Sequence, residues 1–187
     1  MPLPSHAMKF TMRIIPMLLI MLSTCLVAMA QQQQTADQAR EAVCQGVPCR
    51  PVTTVRVKLN KKEYSEMEFP SGPYVAEGFI IVLLGEEILV EFDEAGGALS
   101  NPHYVKTAAK PERTISFRLE QTDEGTVLRV KNPLTKSIIY DCLTQHYSEQ
   151  RLRKTSILPV PAGLMGFEMW PYPIAQVVVS NVRNAQK

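Results

Sequence analysis

Residues 126–144 read TVLRVKNPLTKSIIYDCLT, and the alternation in this stretch decides the fold class. Leu128 and Val130 share one face while Arg129 and Lys131 take the other, which is the two-residue period of a half-buried strand. Past the break, Ile138, Tyr140 and Cys142 line one face and Ile139, Asp141 and Leu143 the other, so the face without Asp141 is the inner one. Asn132-Pro133 between them is turn chemistry: the Asn side chain bonds its own backbone, and Pro presets φ at the next position. Gly125 breaks the chain before the first arm. The two arms are therefore expected to pair as a β-hairpin with one buried face.

The same alternation recurs on both sides. Val55, Val57 and Leu59 alternate with Arg56 and Lys58, the run Asn60-Lys61-Lys62-Glu63 turns the chain, and residues 64–69 alternate again. Residues 79–84, FIIVLL, are continuously apolar between Gly78 and Gly85, which suits a central strand rather than a surface one. Ile88, Val90 and Phe92 alternate with Leu89 and Glu91. Residues 94–111 loosen into a long loop holding an edge strand or a helical turn, and Ile115, Phe117 and Leu119 resume the pattern. Beyond the opening stretch, residues 155–158 read as a short strand, and the Val-rich run 174–182 as a strand that closes the sheet. About eight or nine short strands at intervals of roughly 8 to 15 residues, without a long amphipathic helix, mark an all-β antiparallel sandwich. The immunoglobulin-like sandwich is the first expectation, with a small β-barrel or a jelly roll as the alternative. An Asn-Pro turn leading into an apolar strand resembles the turns of bacterial immunoglobulin-like domains, a likeness that covers this stretch alone.

The N-terminus sets the compartment. Residues 14–30, IIPMLLIMLSTCLVAMA, are apolar and uncharged, preceded by Lys9 and Arg13 and closed by Ala28-Met29-Ala30, the layout of a secretory signal peptide cleaved after Ala30. Leu22-Ser23-Thr24-Cys25 resembles a bacterial lipoprotein box, with Thr24 where a smaller residue is expected. Met8 and Met12 also precede compact signal-like starts, so the true start is Met1, Met8 or Met12. Cleavage leaves 157 residues carrying 18 basic and 18 acidic groups, a length for one domain and a balance that offers nucleic acid no basic footprint. No membrane span remains after cleavage, and the expected location is periplasmic or secreted. The domains are then a signal peptide (1–30), a polar Gln-rich leader with Cys44 and Cys49 (31–50), and a single β-sandwich (51–187).

In an oxidising compartment Cys44 and Cys49, separated by a bend with Gly46 and Pro48, are expected to form a local disulfide. Cys142 is left over; it is a buried free thiol or pairs with Cys44 or Cys49.

No catalytic set emerges. Glu91 and Asp93 share a strand face, an E-x-D pattern that a jelly-roll glycosidase would follow with a third carboxylate, but Ala95 and Gly96 stand there. Cys142 with His146 is a thiol and imidazole four residues apart, and no G-x-S-x-G elbow, H-E-x-x-H or phosphate loop is present. No metal or cofactor motif is found. Trp170 and Tyr172, held by the intervening prolines, together with Tyr147 and Tyr104 in expected loops, form a candidate binding surface, because rigid aromatics with a polar handle suit recognition. The alternative for Trp170 and Phe167 is a place in the core. The functional expectation is an exported, non-enzymatic domain that binds a protein or a cell-envelope component such as a glycan. Two alternatives are kept: a structural or chaperone-like subunit of a surface assembly, and a glycan or ester hydrolase.

Overall fold

The computed structural model describes residue 38 and residues 42–95 and 98–185. The signal peptide, its cleavage site after Ala30, the Cys25 box, the start positions and most of the Gln-rich leader lie outside the described residues. From Val43 onward the chain forms one compact unit.

Among the described residues fourteen strands follow in order: β1 (Cys49–Arg50), β2 (Thr53–Lys58), β3 (Tyr64–Phe69), β4 (Gly72–Pro73), β5 (Val75–Ala76), β6 (Phe79–Leu83), β7 (Glu87–Ala95), β8 (Ala98–Val105), β9 (Thr114–Gln121), β10 (Thr126–Lys131), β11 (Ile138–His146), β12 (Arg153–Thr155), β13 (Met165–Trp170) and β14 (Ile174–Asn184). Two five-stranded antiparallel sheets, ordered β13-β10-β9-β7-β8 and β12-β11-β14-β6-β5, pack face to face as a β-sandwich. The residues 94–111 resolve into the edge strand β8 and the start of a 3-10 turn at Pro111–Arg113.

The opening stretch forms both expected strands but not the expected hairpin. β10 is flanked by β9 and β13 and β11 by β12 and β14, so the two arms lie in opposite sheets and the connection is an arch over the core. Asn132 explains the difference: it is fully buried, and its Nδ2 donates to the carbonyls of Lys136, Val160 and Pro161 at 2.9, 3.1 and 3.0 Å. Its Oδ1 accepts the Leu134 N–H at 3.1 Å, the expected local turn bond. Leu128 and Val130 on one side and Ile138, Tyr140 and Cys142 on the other fill the core between the sheets, with Ile115, Phe117, Val177 and Val179.

A third layer accounts for the continuous FIIVLL run. Ile80 and Val82 face the sandwich core, while Leu83 and Ile81 face a second cluster with Val55, Val57, Met67 and Phe69 of the β2–β3 hairpin. β6 is thus buried on both faces, the condition that removes alternation from a strand. The Val-rich terminal strand does not close the sheet: β14 lies in its middle, between β11 and β6. Register shifts against β11, between Ile139 and Asp141 and between Gln145 and His146, let Ile174, Val177, Val179 and Val182 all face inward despite their odd spacing. The short strand expected at 155–158 is displaced to Arg153–Thr155, because Ser156–Pro159 leaves the sheet before Val160 bridges Ile138.

The first strand is locked to the unit. Cys44 and Cys49 form the disulfide, with Cα atoms 5.6 Å apart. Next to it Arg50 is 5% exposed; its Nη2 donates to the Ile81 carbonyl at 2.6 Å, its Nε pairs with Glu86 Oε1 at 3.2 Å, and its guanidinium lies 4.7 Å over the Tyr74 ring. Burial pushes the Arg50 pKa down and the Glu86 charge opposes that.

Candidate functional site

The β9–β10, β11–β12, β13–β14 and β2–β3 connections meet at one end of the sandwich, and Tyr172 stands among them. Its place is built from the backbone upward. Pro171 and Pro173 restrict the chain on both sides. The Thr126 hydroxyl, fully buried, donates to the Tyr172 carbonyl at 3.1 Å and accepts the Ile174 N–H at 3.0 Å, so the corner is tied to the start of β10. Gly125 has φ +151°, and a Cβ there would sit 2.1 Å from the Trp170 carbonyl oxygen. Only glycine permits so close an approach of the β9–β10 turn to the corner.

On one side of Tyr172 lies a cleft of about 470 Å³ lined by Lys58, Asn60, Lys61, Gln121, Asp123 and Glu124, among others. Gln121 acts as a clamp between layers: its Oε1 accepts the Lys58 N–H and its Nε2 donates to the Lys58 carbonyl, both at 2.8 Å. Lys58 Nζ donates to Asp123 Oδ1 at 2.7 Å, and this contact lowers the Asp123 pKa and raises that of Lys58. Asn60 Oδ1 accepts the N–H groups of Lys62 and Glu63 at 2.9 and 3.0 Å, fixing the hairpin turn.

On the other side lies a cleft of about 410 Å³ lined by Thr144, His146, Ser148, Glu149, Arg153 and Tyr172. The Ser148 N–H lies 3.3 Å from His146 Nδ1 and its hydroxyl 2.8 Å from the same nitrogen, so Ser148 holds the imidazole in place. The imidazole lies 4.6 Å from the Tyr147 ring and 6.0 Å from the Tyr172 ring, centroid to centroid. Arg153 Nε donates to Glu149 Oε2 at 2.7 Å, and that bond, with Arg151 beside it, holds the Glu149 carboxyl below its ordinary range.

Among the four aromatics picked out in the sequence, Tyr172 and Tyr147 come together here with His146. Tyr172 is 43% exposed. Trp170 does not join the surface: it is 6% exposed, packs in the main core, and donates from Nε1 to Thr155 Oγ1 at 3.2 Å. The alternation of β13 turns Trp170 inward and Phe167 outward, where Phe167 is 57% exposed. Tyr104 lies on strand β8 rather than in a loop and stacks on Tyr74 at 4.1 Å, in the cluster that also holds Arg50. His146, Ser148, Glu149 and Arg153 were missed as partners of Tyr172; the sequence signal for them is only a polar run after an apolar strand.

The other candidate groups are dispersed. Glu91 is 7% exposed and faces His103 Nε2 at 3.8 Å across the β7–β8 pair, whereas Asp93 is exposed and accepts from Asn101 Nδ2 at 3.1 Å. Cys142 is fully buried and free, with its thiol pushed up to about 12 by burial and then by the Glu168 charge, while His146 sits at the strand end against Ser148. Cys44 and Cys49 are consumed by their disulfide. No helix among the described residues is long and apolar enough to cross a membrane.

Comparison with family models, with curated proteins and with solved structures found no match.

Proposed function

We propose that this chain is an exported, non-enzymatic binding domain that recognises a protein or cell-envelope component through the end carrying Tyr172. One observation carries the reading: a half-exposed phenol ring, braced by Pro171, Pro173, Thr126 and Gly125, is a shared wall of two clefts. A rigid aromatic body with a polar tip contributes contact area at little entropic cost, which is why such rings dominate recognition surfaces. The signal-like N-terminus and the Cys44–Cys49 disulfide support export. The non-enzymatic part rests on the dispersal of the carboxylates and on the burial of the Cys142 thiol, which a nucleophile's role would oppose. The test is capture of partners from an envelope extract by the mature, disulfide-intact protein: Tyr172→Ala is expected to lose the captured component, and unchanged capture by that variant contradicts the reading. Turnover of glycan or ester substrates by the purified chain contradicts the non-enzymatic part.

A specific observation favours assembly as a second reading. β13 is a sheet edge whose outward residues Met165, Phe167 and Met169 are 44%, 57% and 60% exposed, and its pairing with β10 has no bulge to blunt it. A subunit strand added there would extend the sheet, and its own outward side chains would pack beside this stripe. Phe167→Glu is expected to reduce the oligomer on a sizing column under this reading, and a monomer at all concentrations for the unsubstituted chain contradicts it.

A further inference from the structure

We propose that the two clefts sharing Tyr172 form one site for a neutral oligosaccharide, with one sugar ring stacked on the phenol and its neighbours lying in the clefts on either side. The proposal rests on the reading of this end as the contact surface and gives its ligand a chemical class.

Charge is the first argument. The lining carries Lys58 and Lys61 against Asp123 and Glu124 on one side, and Arg153 against Glu149 on the other. These charges balance, and Lys58–Asp123 and Arg153–Glu149 are paired at 2.7 Å. An anionic or cationic ligand gains no net field here and must compete with those pairs. A neutral polyol does not: its hydroxyls both donate and accept, so they can use the remaining lone pairs of the carboxylates and the free N–H groups of the guanidinium together.

Preorganisation is the second. Asn60 is fixed by two backbone N–H groups, Gln121 by both ends of Lys58, His146 by Ser148 and Arg153 by Glu149. Planar hydrogen-bonding groups held in place before a ligand arrives lose little freedom on binding, which a flexible, heavily hydrated sugar chain requires of its receptor.

Shape is the third. The clefts, at about 470 and 410 Å³, have room for sugar rings on both sides of Tyr172. A peptide instead uses an open strand edge or a deep apolar anchor pocket. No deep apolar anchor pocket lines this site, and the edge strands β12 and β2 reach it only at their ends, at Arg153 and Lys58; the exposed ring of Tyr172 matches the flat C–H face of a pyranose.

The experiment is calorimetric titration of the mature, disulfide-intact protein with α- and β-1,4-linked glucose and β-1,4-linked N-acetylglucosamine hexasaccharides, their disaccharides, and sulfated and sialylated glycans of similar length. At least one neutral hexasaccharide is expected to bind about tenfold or more tighter than its disaccharide, because only the longer chain engages both clefts. Its Kd is expected to change by less than about twofold between about 50 mM and about 500 mM salt. Tyr172→Ala is expected to weaken it by about tenfold or more, and Tyr172→Phe, which keeps the ring face, by no more than about threefold. Arg153→Gln, on the wall of the second cleft, is expected to weaken the hexasaccharide and leave the melting temperature within a few degrees. Binding of charged glycans alone with steep salt dependence, equal affinity for the disaccharide, or no effect of Tyr172→Ala in a folded protein overturns the proposal, as does the absence of binding to every neutral chain. If no neutral chain binds while Tyr172→Ala still abolishes capture from the extract, the contact surface stands and only the ligand class falls.

Discussion

Three buried side chains show how single residues set the stability of this sandwich. Asn132 satisfies three carbonyls and one N–H inside the arch, so Asn132→Ala leaves buried acceptors without donors and is expected to cost about 2 to 4 kcal/mol by urea denaturation. Asn132→Asp, which keeps the shape but removes the donors, is expected to cost more. Tyr140 presents the opposite case: it is 2% exposed and packs edge-on to Phe117 at 6.1 Å, yet its hydroxyl has no hydrogen-bond partner among the described residues. Tyr140→Phe is therefore expected to be neutral or to stabilise by up to about 1 kcal/mol in the same assay, and a loss beyond that contradicts the unpaired hydroxyl. Cys142 is expected to resist an alkylating reagent at pH 8 in the native protein and to react on unfolding. Its folded pKa of about 12 lies above the ordinary 9.0, so its contribution is fully present below pH 9.0 and is lost as pH rises toward about 12. That loss reaches about 4 kcal/mol, and burial of Tyr140 adds to it in the same direction. Flat stability across that range contradicts the buried neutral thiol.

At the scale of elements, the β2–β3 layer is expected to be separable from the sandwich. Val57→Asp places a charge against Leu83 and Ala175 without a partner. Hydrogen exchange is expected to rise throughout β2 and β3 while β9 and β10 keep their protection, and equal loss in all four contradicts an independent layer. Cys44→Ser removes a short closed loop and is expected to cost about 2 kcal/mol or less. The strands themselves were legible because their alternation is local: the inward sets Leu128 with Val130, and Ile138 with Tyr140 and Cys142, follow from period two. Their partners were not, because an arch and a hairpin place the same residues on the inner face. The long-range pairing of β10 with β9 and β13 and of β11 with β12 and β14 tells the two apart, and Asn132's bonds to Val160 and Pro161, far away in sequence, go with it. The FIIVLL run pointed to a central strand, but the hairpin that covers its second face had to be seen in three dimensions.

For the whole molecule, the end that carries Tyr172 is a product of topology. Thr126 and Gly125 on β10 and its turn, Tyr172 at the β13–β14 corner, His146 at the end of β11 and Lys58 at the end of β2 come from distant parts of the chain. The sequence could nominate Tyr172 and Tyr147 by residue type alone, and it nominated Trp170 by the same reasoning, although the inward phase of β13 removes that ring from the surface. Which aromatics meet, and which polar groups surround them, is set by long-range pairing that no local pattern encodes. The most direct test is hydrogen-exchange footprinting of the mature protein in envelope extract against buffer. Protection concentrated at residues 58–61, 121–125, 144–149 and 171–173, and lost in Tyr172→Ala, is the predicted result. Protection confined to β13 and its neighbours, with residues 171–173 unchanged, would contradict it.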